Sequence, residues 1–79
     1  MDLKTYSDAL YGQFARIGKA MASPRRLMLL EILCQGPRTV ETLAKETAQS
    51  VANTSQHLQV LRGARLVEAE RAGLHVDAP

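Results

Sequence analysis

The chain contains no tryptophan and only three other aromatic residues, Tyr6, Tyr11 and Phe14. Its core must therefore come from Leu, Val, Ile, Met and Ala. That composition favours packed helices over a β-sandwich, which carries more β-branched and aromatic side chains. The single cysteine, Cys34, excludes an intramolecular disulfide. No apolar run approaches the roughly 20 residues of a membrane-spanning helix. Asp2, Lys4 and Asp8 break up the amino terminus, so no secretion signal is read there. A reducing cytoplasm, without membrane attachment, is the expected setting. No nucleophile–base pair, metal-ligand cluster or phosphate-binding loop is visible, so neither an enzyme nor a cofactor is expected. Seventy-nine residues allow one domain, expected over 1–79. A domain this small often gains stability from association with a partner.

Acidic residues are also missing from one long segment. The net charge is only +2, yet no Asp or Glu occurs between Thr47 and Val67, where Arg62 and Arg65 stand. The eight carboxylates lie elsewhere, at Asp2, Asp8, Glu31, Glu41, Glu46, Glu68, Glu70 and Asp77. An acid-free surface suits approach to phosphates; chance is the alternative for so short a window.

The hydrophobic spacing predicts a mainly α fold with a small β-hairpin. Leu10, Phe14, Ile17 and Met21 share one face of a first helix, expected over 5–22. Gly12 and Gly18 weaken that helix by about 1 kcal/mol each relative to Ala and suggest close approach of a partner backbone. Ser23-Pro24 is a helix start, with Ser as N-cap and Pro at the first helical position. The second helix, expected over 24–35, is apolar nearly all round from Leu27 to Cys34, which predicts a place inside the core. Gly36-Pro37 stops it. Thr39 can cap a third helix over 39–47, with Glu41 or Thr42 near the capping-box position. Val40, Leu43, Ala44 and Thr47 form its apolar face. After Ala48-Gln49, Ser50 can cap a fourth helix over 51–64. A short helix, a tight turn and a helix beginning with small polar residues make a helix-turn-helix. The period then changes, and 66–76 predicts a hairpin with a turn at Ala72-Gly73.

The fourth helix carries the function. With Leu58 centred on its buried side, a rotation of roughly 100° per residue puts Val51, Thr54, Ser55, Leu61 and Arg62 on the same half. The other half shows Ala52, Asn53, Gln56, Gln59 and Val60, with His57 at the border. Asn and Gln carry a donor and an acceptor on one planar group, which suits bidentate contact with base edges, adenine above all. Ala52 and Val60 can touch a thymine methyl. Ser50, Thr54 and Ser55 can donate to phosphates, which the positive end of the helix favours. The plain alternative is a soluble helix with a polar outer face.

Other residues admit two readings each. His57 can contact a phosphate or ligate a metal, but with only His75 across the hairpin no metal site is expected. Cys34 is expected to be a buried, small apolar residue, with redox sensing as the alternative. Arg71 and His75 flank the predicted turn and either approach the minor groove or DNA backbone, or lie in a solvated loop.

Three stretches together resemble the ArsR/SmtB family of bacterial repressors: MASPRRLMLLEIL from Met21, VETLAKET from Val40, and SVANTSQHLQVLRGARLVEAER from Ser50. The ordered elements are small-Pro-x-Arg-Leu, then Ser-x-His-Leu-x-x-Leu-Arg, then Leu-Val. The resemblance covers roughly Phe14 to Val76. It implies a winged helix-turn-helix, a helical homodimer and binding to a double-stranded DNA operator that a ligand or modification relieves. By position it implies reading-helix contacts from Val51, Ala52, Asn53, Ser55, Gln56 and Gln59, and a wing over Glu68 to Val76. The amino-terminal run YGQFARIGKAMASP also resembles members joined to a rhodanese-like domain.

Departures from the family pattern concern sensing. The Cys-Val-Cys of thiolate metal sensors is replaced by Thr39-Val40-Glu41. Glu31 stands where sulfur sensors place a cysteine one turn before Cys34. Other members bind zinc on a carboxyl-terminal helix whose residues are not in this sequence, which is expected to be a fragment or a short form. The dimer is then expected to rest on Leu10, Phe14, Ile17 and Met21. The expected function is a sequence-specific DNA-binding transcription regulator of the repressor type. The DNA-contacting set is Ser50, Val51, Ala52, Asn53, Ser55, Gln56, His57, Gln59, Arg62, Arg65, Arg71 and His75. A winged-helix module for protein contact is the alternative.

Overall fold

A computed structural model describes residues 2–69 and 76–77. Four helices follow one another among the described residues: α1 (Leu3–Met21), α2 (Pro24–Leu33), α3 (Val40–Glu46) and α4 (Val51–Gly63). Two short strands, β1 (Glu68–Ala69) and β2 (Val76–Asp77), pair antiparallel with Glu68 opposite Asp77 and Ala69 opposite Val76. Residues 70–75, including the expected turn at Ala72-Gly73, lie outside the described residues.

Each helix starts where a side chain accepts an orphan backbone N–H. Asp2, Ser23, Thr39 and Ser50 accept from Thr5, Arg26, Thr42 and Asn53 respectively. Such a cap stabilises by about 1 kcal/mol. Asp2 moves the start of α1 two residues ahead of the expected Thr5. The Thr5 backbone N–H at 2.7 Å also holds the Asp2 carboxyl below the ordinary aspartate range. At the start of α3 the partner of Thr39 is Thr42. Thr39 Oγ1 accepts from the Thr42 N–H and donates to Thr42 Oγ1 at 2.8 Å.

The core is aliphatic. Ala20, Leu29, Leu33, Leu43, Leu58, Leu61, Ala64 and Val67 are buried together, with Ile17, Leu30, Ile32, Val40 and Leu66 packed against them. Burying one such Leu side chain contributes roughly 1.5–3 kcal/mol. Leu66 and Val67 differ from expectation. They precede the strand pairing and serve the core, with Val67 buried.

The second helix also departs from its predicted place. Only Leu29 and Leu33 of α2 are buried, while Leu27 is 46% exposed and Met28 and Cys34 are exposed too. Leu29 and Leu33 are four residues apart and share the face turned to α1 and α4. Leu27, Glu31 and Cys34 lie on the opposite face, which no described element covers. Cys34 is therefore not a core residue. It is the C-cap of α2, which ends at Leu33 rather than at residue 35.

The first helix projects from the rest. Ala20 is its one buried residue among those described, and Ile17 is half-buried. Leu10, Phe14 and Met21 remain exposed, Phe14 by 57%. The molecule is accordingly long, 46 × 26 × 21 Å. Among the described residues, nothing apart from the adjoining helix backbone comes within 4 Å of a Cβ placed on Gly12 or Gly18, so neither glycine makes room for another described element.

Two helices end on left-handed residues that are not glycine. After α3, Ala48 has φ 55°, its N–H reaches Lys45 O, and Gln49 N–H reaches Ala44 O. After α4, Arg65 has φ 61°, its N–H reaches Arg62 O, and Leu66 N–H reaches Leu61 O. Both are Schellman ends, in which glycine normally avoids the Cβ clash. Ala48→Gly is expected to stabilise the chain by about 0.5–1 kcal/mol, because the relief of the left-handed strain exceeds the entropy that glycine loses. Urea unfolding checks this; a lower midpoint would show that Ala48 is not strained.

Candidate nucleic-acid interface

The turn between α3 and α4 is built by local bonds and one long-range one. The Schellman end at Ala48 reverses the chain, and Ser50 opens α4 by accepting from Asn53 N–H at 3.0 Å. Thr47 is buried and donates its hydroxyl to Leu43 O at 2.7 Å. Arg25 crosses from α2 and donates to Thr47 O at 2.8 Å, fixing the turn from outside.

Thr54, Leu58 and Leu61 form the buried side of α4. Ala52, Asn53, Gln56, Gln59 and Val60 are exposed, as the helical projection put them. Val51 and Arg62 are exposed as well, although the projection grouped them with Leu58. They stand at the two ends of α4, where covering elements run out. Ser50 is exposed and Ser55 half-buried. The Thr54 hydroxyl donates to Ser50 O at 2.8 Å and is buried, so it is committed within the helix and is not a phosphate donor.

Beyond the end of α4, Arg62, Arg65, Val67 and Glu68 line a shallow, open depression. Two of these side chains are cationic and one is acidic. Arg71 and His75 lie outside the described residues. Among the described residues no group of three or more His, Cys, Asp and Glu is placed to hold a metal ion. Among the described residues, no helix is long and apolar enough to cross a membrane.

His57 is half-buried, and its Nδ1 lies 3.3 Å from Nη1 of Arg26. Sequence reasoning gave Arg25 and Arg26 no part in the site. A signal was present: they occupy the first turn of α2, which holds no acidic residue. Cations are unfavourable at the positive end of a helix dipole unless their charge is used elsewhere. Here both side chains cap the carboxyl ends of other helices, Arg25 at α3 and Arg26 at α1.

Helix, tight turn and exposed amide-bearing helix define a helix-turn-helix. Residues 23–69 match the sequence pattern described as bacterial regulatory protein, arsR family. The chain belongs to that family. It is 48% identical over 65 residues to the HTH-type transcriptional regulator Rv0324 of Mycobacterium tuberculosis, covering 82% of this chain and 29% of Rv0324. It therefore spans under a third of that relative's length. It resembles the homodimeric winged helix-turn-helix DNA-binding domain of Mb0332 from Mycobacterium bovis, with TM-score 0.86 and 40% identity over 91% of this chain and 68% of that one. The transcriptional repressor BigR from Xylella fastidiosa superposes with TM-score 0.76 at 25% identity, over 99% of this chain and 82% of that one.

Ser50→Ala is expected to destabilise the fold by about 1 kcal/mol by freeing the Asn53 N–H at the start of α4. Ser50→Gly should cost a few tenths at most. Equal thermal midpoints for Ser50→Ala and the parent would remove the cap from the account.

Proposed function

We propose that this chain is the DNA-binding part of a transcription regulator of the repressor type, acting in the cytoplasm as a homodimer on a duplex operator. The observation that carries this reading is the outer face of α4. It exposes Ala52, Asn53, Gln56 and Gln59 on a segment free of acidic side chains. Asn53, Gln56 and Gln59 offer paired donors and acceptors to base edges, with Val51, Ala52 and Val60 as apolar contacts. Ser50 and Ser55 serve phosphates at the positive end of the helix. Arg62 and Arg65 serve phosphates at its other end, and His57 flanks the face.

Two further features support the family's arrangement. The pairing of Glu68 with Asp77 and of Ala69 with Val76 is the register that a turn centred on Ala72-Gly73 would give. We infer that β1 and β2 belong to the wing. The exposed stripe of Leu10, Phe14 and Met21, continued by Ile17, is where a second copy would pack. Mb0332, named as homodimeric, supports that reading. Residues 1–79 act as one domain, and the function calls on no cofactor.

Binding to duplex DNA should weaken steeply with salt as phosphate contacts release counterions. Salt-independent binding, or none, would favour a protein-contact module instead. Gln56→Ala should lose about 1–3 kcal/mol on a selected duplex and relax base preference. Arg65→Ala should weaken selected and mixed duplexes alike. Titrations of both variants on both duplexes separate the roles; identical losses for the two would sink the base-reading assignment. Phe14→Glu should shift sedimentation from dimer to monomer, and a parent that sediments as monomer at high concentration refutes the α1 interface.

A further inference from the structure

One side chain, rooted in α2, reaches both α1 and α4. Nε of Arg26 donates to Ala20 O at 2.6 Å and Nη2 to Lys19 O at 3.0 Å, both in the last turn of α1. Its Nη1 lies 3.3 Å from Nδ1 of His57, near the middle of α4. Arg26 itself is anchored in the first turn of α2, where its N–H reaches the Ser23 hydroxyl. Among the described residues its side chain bonds to two carbonyls and an imidazole, and to no carboxylate.

The chemistry of this contact determines the state of the ring. A guanidinium only donates and keeps its proton. Nδ1 must then present its lone pair, which leaves the ring hydrogen of neutral His57 on Nε2. The position of His57 fits this role. It lies at the edge of the reading face, half-buried toward the side where Arg26 stands.

We propose that Arg26 is a positioning residue for DNA reading: through His57, held as the Nε2–H tautomer, it ties the orientation of α4 to the end of α1. This rests on reading α4 as the DNA helix and α1 as the dimer helix. In such a dimer the separation of the two reading helices depends on how firmly each α4 is held to its α1, and half-site spacing follows from that separation. The apolar packing of Ala20 and Ile17 within the core is non-directional. The guanidinium adds direction, because its fork is planar and its acceptors lie on two helices.

Side-chain nitrogen NMR of the unmodified protein at neutral pH tests the contact directly. The expected spectrum has His57 Nδ1 unprotonated and Nε2 protonated; an Nδ1–H ring overturns the proposal. In Arg26→Gln the two tautomers should mix, and amide exchange should rise together at 19–22 and around His57. Exchange that rises at only one of the two places is the contrary result. Against DNA, Arg26→Lys keeps the charge but cannot span the three acceptors. It should lose about tenfold in affinity for a duplex selected from a random library while mixed-sequence binding changes little. His57→Leu should add little to that loss in the double variant, whereas His57→Gln, which retains an acceptor, should recover part of what His57→Leu loses. Full additivity of Arg26→Lys and His57→Leu would overturn the coupling. If the unmodified protein selects no duplex, the DNA reading fails, and the tautomer and the paired exchange still decide the contact.

Discussion

Two adjacent arginines hold the helix ends of this fold together. Arg25 and Arg26 sit in the first turn of α2, where the helix dipole is positive and each cation is unfavourable by about 0.3–1 kcal/mol. Both side chains leave that turn for the negative ends of other helices. Arg26 takes the last carbonyls of α1, and Arg25 takes Thr47 O after α3. The local cost is offset by two C-terminal caps made at a distance. The start of α2 is thereby the hub that sets α1 on one side and the helix-turn-helix on the other.

Around that hub the core is small and made of short aliphatic side chains. No aromatic residue enters it, and Tyr6, Tyr11 and Phe14 all stand exposed on α1. With so little volume to bury, much depends on backbone closure. Two Schellman ends turn the chain after α3 and α4, and both are made with residues that carry a Cβ. The second of them delivers Leu66 and Val67 into the core and leaves Arg65 just past the end of α4. The turn that closes the core therefore also fixes the position of Arg65.

The candidate site was legible where it depends on local chemistry. Ser50 as a cap, the break after Thr47 and the outward set of Asn53, Gln56 and Gln59 all follow from spacing of three and four residues. Thr54 was not legible in the same way. Its hydroxyl looks like a phosphate donor until the bond to Ser50 O is seen. His57 likewise looked like a surface contact, and its partner is thirty-one positions away in sequence.

The sequence by itself determined where α2, α3 and α4 begin, at the caps Ser23, Thr39 and Ser50, because a cap acts within one turn and needs no neighbour. It also determined which face of α4 is polar, because periodicity is a property of the helix alone. Only the tertiary structure decided which apolar residues are covered. Leu29 and Leu33 of α2 meet other helices, while Leu27 and Cys34, in an equally apolar run, meet none among the described residues. It also decided what Arg25 and Arg26 do. Burial and long-range hydrogen bonds depend on which elements arrive beside a residue, and that information is spread over the whole chain.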